Sequence, residues 1–316
     1  MDSTRLLYID KMKALAMILV VWGHTMYFCM YDEHTETISD PILNIICTFH
    51  VPLFFFLSGV VISAPPDFRK FLRKARRFLV PMLVVGFINA LLIGLVADFF
   101  LNGGHNGYWY LLTLTLFYLL LLPFRYKERF TTSKTLDMVL ALAIWVAAYF
   151  STGIDSVIIS AINAWAVFAY WPFFMIGFFC RKYSLLPYIT GKTWLTVMLL
   201  LAYLLLLIIS FPQIKNLPLI IDFTLAVLAI AALMALFYHF SDSQTFIDRQ
   251  LLLIGGNTLQ IYIYHYFFIR FIDLSFLINH SLLIEIVVTS LLTILIVYGS
   301  ITISVIYRKL IEWIRR

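Results

Sequence analysis

Charged residues are scarce in this sequence of 316 residues. Only 13% of the residues are Asp, Glu, Lys or Arg, whereas 62% are hydrophobic and the mean hydropathy is +0.94. A soluble chain of this length could not bury so much apolar side-chain surface. No polar segment is long enough to form a soluble domain beside the apolar ones. We therefore predict a single integral-membrane domain over residues 1–316.

Cysteine is also rare, and common catalytic motifs are missing. Cys29, Cys47 and Cys180 are scattered through apolar sequence without CxxC spacing, which argues against a disulfide framework and against a cysteine metal site. The sequence contains no Walker loop, no nucleophile elbow, no HExxH zinc motif and no DNA-binding motif. We expect neither a metal cofactor nor a nucleic-acid partner.

Long apolar stretches are what the sequence has in abundance. Each stretch is roughly 20 residues long, the length of a membrane-spanning helix. Together they predict an all-α, polytopic transmembrane bundle of about ten spans. A cytoplasmic N-terminus places all but two of the 23 basic residues on the cytoplasmic side. We therefore expect cytoplasmic N- and C-termini and a multi-pass protein of the plasma (inner) membrane. The predicted spans are 8–30, 42–63, 78–100, 108–124, 136–151, 157–180, 193–211, 218–240, 251–271 and 282–307.

The first predicted span carries a stripe of ionisable residues. A helix turns about 100° per residue, so Lys13 and His24 differ by about 20° in direction and Asp10 lies within about 60° of both. Such groups in a membrane helix usually face a bundle interior and mark function. His24 could take a proton from a hydroxyl and return it, or it could only pack against a neighbouring span. Asp10 and Lys13 could simply form an ion pair at the helix end.

Three further clusters of polar or basic residues follow along the chain. His50 and Pro52 lie in the second predicted span, where the proline frees a backbone carbonyl and kinks the helix. Six basic residues lie between positions 69 and 77, and they could bind anionic lipid or a phosphorylated cytosolic ligand. Asn257 and His265 lie in the ninth predicted span, after two glycines that could instead serve close helix packing.

In this order, the clusters resemble membrane acyltransferase family 3, the integral-membrane O-acyltransferases of bacteria and some eukaryotes. The resemblance extends over nearly the whole chain. Tyr110 stands where the family more often has Phe, and Thr258 where it more often has Ser. The residues that carry the resemblance are Arg5, Asp10, Lys13, 20–24, 49–59, the basic run closing on Pro81, 107–111, 171–177 and 254–265.

The resemblance implies transfer of an acyl group, most often acetyl from acetyl-CoA, to a hydroxyl of a sugar or cell-surface glycan. In that family the histidine that ends the first-span motif is essential, which here implies His24. We interpret His24 as the general base, with Asp10 and Lys13 organising the mouth of a cavity. The polar residues that we expect to line this cavity are His50, Trp109, Asn257 and His265.

The resemblance also implies a CoA site on basic residues near the cytoplasmic face. Arg5 is one candidate, and the run at 69–77 supplies the others. Its RxxR-like pattern can be read in two registers, Arg73/Arg76 or Lys74/Arg77. The candidate residues of the run are Arg73, Lys74, Arg76 and Arg77.

Two functions outside enzyme catalysis are alternatives. Buried His, Asp and Lys also build proton relays, so the chain could be a transporter or flippase of a sugar or lipid-linked glycan. The sequence shows no inverted repeat, which is common among such carriers. A scaffolding subunit of a glycan-export complex, without turnover, is the other alternative.

Overall fold

The computed structural model of the chain describes residues 7–31, 40–240 and 245–314. Within these ranges the chain is helical and forms no strand, which confirms the all-α prediction. Nine segments of the described ranges are long and apolar enough to cross a membrane. They are Leu7–Cys29, Pro41–Val60, Phe68–Leu92, Trp109–Lys127, Lys134–Thr152, Ala164–Lys182, Thr193–Asn216, Leu219–His239 and Leu282–Leu310.

The chain divides into two compact units. The first unit comprises Met1–Phe54 and Leu186–Arg316, and the second comprises Phe55–Leu185. The helices are α1 (Leu7–Cys29), α2 (Pro41–Val60), α3 (Phe68–Leu92), α4 (Val96–Leu101), α5 (Trp109–Leu120), α6 (Leu122–Lys127), α7 (Lys134–Thr152), α8 (Val157–Ala161), α9 (Ala164–Lys182), α10 (Leu186–Thr190), α11 (Thr193–Ser210), α12 (Leu219–His239), α13 (Phe246–Gly256), α14 (Thr258–Ile269) and α15 (Leu282–Ile314).

The ninth predicted span, 251–271, is a broken helix. It forms α13 and α14, which meet at Asn257, and neither reaches the roughly 20 residues needed to cross a bilayer alone. The helix ends here because Asn257 leaves helical geometry (φ −116°, ψ 18°) after two glycines, which are poor helix formers. The prediction that Asn257 lies inside one continuous helix is therefore wrong.

The helix that corresponds to the third predicted span, 78–100, lies closer to the N-terminus, at Phe68–Leu92. α3 begins at Phe68 because Asp67 caps it: Oδ1 of Asp67 accepts the backbone N–H of Lys70 at 2.8 Å. This hydrogen bond lowers the pKa of the Asp67 carboxyl. The basic residues at 69–77 consequently belong to the first turns of a long apolar helix rather than to the loop before it.

α1 is the central helix of the first unit, and it packs against α12, α13, α14 and α15. At α13 the approach is so close that a Cβ on Gly255 would overlap the carbonyl oxygen of Asp10. At α15 the indole N–H of Trp22 donates to the hydroxyl of Thr289 at 2.9 Å. Small residues and buried hydrogen bonds of this kind hold membrane helices together.

A buried ion pair also joins α1 to α13. Lys11 is 1% exposed, and its Nζ lies 2.6 Å from Oδ1 of Asp248 and 2.8 Å from the carbonyl oxygen of Phe240. Asp248 in turn closes a capping box with Thr245 at the start of α13. The charge on Lys11 is thus compensated by a carboxylate that is itself held in place by backbone geometry.

In the second unit, α5 packs against α3 and α9, and α9 packs against α7. The ends of α6, α7 and α9 meet at Asp137, which is fully buried and accepts Nζ of Lys127 at 2.7 Å and Nζ of Lys182 at 2.8 Å. The Tyr183 hydroxyl donates to the same carboxylate. Burial and this carboxylate raise the pKa of Tyr183. The network ties three helix ends together with its charges compensated.

The C-terminal part of α2 approaches α9 through two glycines. A Cβ on Gly59 would overlap the carbonyl oxygen of Phe174, and a Cβ on Gly177 would overlap that of Phe56. Because the obstructing atoms belong to helix backbones, no side-chain rotation can relieve either overlap. The glycines therefore fix how closely these helices pack.

We expect Gly177→Ala to lower the free energy of unfolding by about 1–3 kcal/mol, the usual cost of overpacking. Thermal unfolding of the detergent-solubilised protein measures this change. Gly153→Ala is the matched control, since its nearest neighbour is the carbonyl oxygen of Phe150 at 3.8 Å, an ordinary contact. Equal unfolding midpoints for the two variants would contradict the close packing described here.

Candidate functional site

Two histidines of the first unit meet in direct contact. Nδ1 of His24, near the C-terminal end of α1, lies 3.0 Å from Nε2 of His265 on α14. The two rings are nearly parallel, at 16°, with centroids 5.2 Å apart. His265 is fully buried, whereas His24 is only half-buried. The pair thus has one inner member and one member with a surface open to its surroundings.

Aromatic rings and one guanidinium surround this pair. The ring of His24 lies 5.3 Å from that of Tyr266 and 5.6 Å from that of Phe28. The guanidinium of Arg270 sits over Phe28 at 5.4 Å and over Tyr266 at 5.9 Å, within the range of a cation–π attraction. Sequence reasoning gave these three residues no role. Arg270 did carry a signal, because it is one of the two basic residues that the predicted topology leaves on the outer side.

Asp10 and Lys13 form an ion pair near the other end of α1. Nζ of Lys13 lies 3.1 Å from Oδ1 of Asp10. At 1.5 Å per residue, Lys13 lies about 16 Å along the helix axis from His24. These two residues therefore cannot act on the same reacting atoms as the imidazole. Sequence reasoning missed the neighbouring Lys11, because it points about 100° away from Asp10 and so off the stripe.

The other predicted cavity residues lie in different surroundings. His50 is buried on α2, which continues through Pro52, and its Nδ1 lies 2.7 Å from the carbonyl oxygen of Ile46. Asn257 is half-buried at the break between α13 and α14, and its Nδ2 donates to the carbonyl of Leu253 at 2.8 Å.

Trp109 belongs to the second unit. It is half-buried at the start of α5. Its ring stacks on that of Tyr170 with centroids 5.6 Å apart, and Phe55 lies 6.2 Å away. Within its own unit, Trp109 is thus part of an aromatic cluster.

The basic run of the second unit is mostly exposed. Arg73, Arg76 and Arg77 are exposed along α3, whereas Lys74 is half-buried with Nζ 5.7 Å from the ring centroid of Tyr118. The Arg73/Arg76 register therefore presents two exposed guanidiniums, which can hold phosphate in bidentate fashion. Arg5, the remaining candidate for CoA binding, lies outside the described residues.

The chemistry open to the histidine pair is proton transfer. Neutral imidazole has one nitrogen that donates and one that accepts, so it can take a proton from a hydroxyl and return it. The described ranges contain no group of three or more His, Cys, Asp or Glu side chains that could hold a metal ion. The pair alone supplies two nitrogens, fewer than the three protein ligands of a typical catalytic zinc site.

Comparison with known proteins identifies the family of the chain. The family model of the acyltransferase domain of membrane acyltransferase family 3 matches residues 6–306, a range that runs through both compact units. Searches of curated proteins and of solved structures gave no match. The match confirms the resemblance carried by the first-span histidine and the later motifs. The chain belongs to membrane acyltransferase family 3 and is a multi-pass membrane acyltransferase.

Proposed function

We propose that the protein is an O-acetyltransferase that moves the acetyl group of acetyl-CoA to a hydroxyl of a sugar or cell-surface glycan. The observation that carries this proposal is the half-buried imidazole of His24, hydrogen-bonded at 3.0 Å to His265 within a membrane bundle. Ionisable groups in such a place are costly and usually functional. Membership of an acyltransferase family supports this choice over a carrier or a scaffolding subunit.

His24 is the general base of the proposed reaction. It takes the proton as the hydroxyl oxygen of the acceptor attacks the carbonyl carbon of the thioester. The new C–O bond forms, the C–S bond breaks, and the proton passes to the CoA thiolate. The products are the acetyl ester and free CoA. A two-step route, in which His24 first carries the acetyl group, predicts labelled protein when acetyl-CoA is added without acceptor.

Asp10 and Lys13 act at a distance from this chemistry. Their ion pair lies towards the N-terminal end of α1, the end that the distribution of basic residues predicts to be cytoplasmic. We assign them to organising the cavity mouth. His50 and Asn257 of the same unit complete the proposed set of cavity residues, with His265 beside the base. The assignment of Trp109 stays a prediction from the sequence.

The phosphates of CoA bind to the basic run of α3 in this proposal. Arg73, Arg76 and Arg77 are exposed and positively charged, and Arg5 is the further candidate near the N-terminus. We expect Lys74 to contribute least, since its ammonium already lies against the ring of Tyr118. The run is cytoplasmic in the predicted orientation in the plasma (inner) membrane, the side on which acetyl-CoA is made available.

Replacing Arg73, Arg76 and Arg77 together with glutamine should raise the KM for acetyl-CoA by roughly 10–100-fold, at about 0.5–1 kcal/mol for each exposed charge pair. Added salt should weaken the binding of acetyl-CoA more in the wild type than in the variant, because salt screens the attraction between the arginines and the phosphates. Arg308→Gln with Lys309→Gln is the control, since these exposed residues lie at the end of α15. An unchanged KM in the triple variant would rule out this site for CoA.

Cells with and without the gene provide the test of the proposed activity. Mass spectrometry of their surface glycans should show the mass of one acetyl group missing at each modified hydroxyl when the gene is deleted. Purified protein should also bind radiolabelled acetyl-CoA. A transporter or flippase predicts altered export of glycans that keep their acetyl groups, together with no binding of acetyl-CoA.

A further inference from the structure

We propose that His265 is a positioning residue that fixes which ring nitrogen of His24 carries the lone pair, so that His24 acts as a base through Nε2. The inference rests on the proposed function of His24 as the base. It assigns a role to the hydrogen bond between the two rings, beyond lining a cavity.

His265 is the buried member of the pair. Nδ1 of His265 lies 3.1 Å from the carbonyl oxygen of Ile261, one turn earlier on α14. A carbonyl oxygen only accepts hydrogen bonds, so Nδ1 of His265 must carry the hydrogen. The complete burial of His265 favours an uncharged ring. A neutral ring has one N–H only, so Nε2 of His265 holds a lone pair.

That lone pair determines the form of His24. Nδ1 of His24 lies 3.0 Å from Nε2 of His265, and two lone pairs would repel one another at this distance. Nδ1 of His24 must therefore be the donor, which leaves the lone pair of the neutral ring on Nε2. The helical backbone thus sets the tautomer of His24 through one intervening imidazole.

The same bond serves the later stage of the reaction. When Nε2 of His24 takes the proton of the acceptor hydroxyl, its Nδ1–H still donates to His265, so no hydrogen bond is lost. The ring cannot rotate without breaking the bond, and Nε2 stays directed away from His265. A third group that orients a catalytic base in this manner is a recurring device in enzymes.

Three substitutions of His265 separate hydrogen bonding from packing. In His265→Gln the side-chain oxygen can reach the place of Nε2 and accept from His24. In His265→Asn the shorter side chain places its amide where Nδ1 of His265 was, too far from His24 to accept its hydrogen bond. In His265→Leu there is no acceptor. We expect kcat to fall by about 10²-fold in the Asn and Leu variants, within the range that acid–base catalysis contributes. We expect it to recover largely in the Gln variant, with the KM for acetyl-CoA unchanged in all three.

Nitrogen NMR of protein labelled with [15N]histidine supplies a readout that does not depend on activity. The His24 signals, identified by their loss in His24→Ala, should show the unprotonated nitrogen at ε2 in the wild type and a mixture of tautomers in His265→Leu. His239→Gln is the matched control. His239 lies on α12 of the same unit, with Nε2 3.2 Å from the hydroxyl of Thr196, and its replacement should change neither kcat nor the His24 signals.

The outcomes distinguish this inference from the function on which it rests. Full activity in folded His265→Leu, together with inactive His24→Ala, would overturn the positioning role and leave the general base in place. Full activity in folded His24→Ala would overturn the proposed function itself. Equal losses in the Gln, Asn and Leu variants, accompanied by lower unfolding midpoints, would show that His265 is needed only for packing and would also overturn the inference.

Discussion

His24→Ala should reduce acetyl transfer by about 10²–10⁴-fold, the usual contribution of a positioned general base. The variant should still fold, because alanine is a strong helix former and the lost side chain is only half-buried. Quantification of acetyl esters on the surface glycans of complemented deletion cells measures the loss. Expression level and the thermal unfolding midpoint of the purified variant establish that the protein is intact.

The control for this substitution is another histidine of the first unit. His239→Ala removes an imidazole that contacts Thr196 on α11 and has no part in the proposed chemistry. It should keep acetyl transfer near the wild-type level. A well-folded His24→Ala protein with the same activity as His239→Ala would refute the general-base mechanism.

Lys11→Met should have the largest effect on stability, lowering the free energy of unfolding by about 3–5 kcal/mol, as expected when one partner of a buried ion pair is removed. The substitution leaves the carboxylate of Asp248 without its ammonium partner at 2.6 Å, while the capping box with Thr245 keeps that carboxylate in place. Loss of the hydrogen bond to the carbonyl of Phe240 adds to the cost. Chemical or thermal unfolding in detergent measures the change.

Two further variants make this prediction specific. Lys13→Met breaks the ion pair with Asp10, in which the side chain of Lys13 is 23% exposed and that of Asp10 is 14% exposed. This substitution should lower the free energy of unfolding by only about 0–1 kcal/mol. Adding Asp248→Asn to Lys11→Met should recover part of the lost stability, because no uncompensated charge remains buried. If Lys11→Met were no less stable than Lys13→Met, the ion pair would not be the link between α1 and α13 that we describe.

The fold class was predictable because each membrane span has to be long and apolar, and both properties are local in sequence. The broken helix was missed for a related reason. Gly255, Gly256 and Asn257 are each tolerated inside a membrane span, so hydropathy alone does not reveal the interruption. The start of α3 was misplaced because its first turns are strongly basic, and the cap at Asp67 was not used as a signal.

The candidate site was predictable in its residue types but not in its contacts. His24 stood out because a charged stripe is unusual in a membrane helix, and His265 because it is polar within an apolar segment. Their hydrogen bond arises only when α1 docks against α14, which no periodicity encodes. The partnership of Lys11 with Asp248 likewise joins residues far apart in sequence.

The most direct test of the account uses the purified wild-type protein in liposomes, with radiolabelled acetyl-CoA and surface glycan prepared from cells that lack the gene. We predict that the label appears in the glycan as a base-labile ester and that free CoA is released in equal amount. Movement of glycan across the liposome membrane with no labelled ester would contradict the account and favour a carrier.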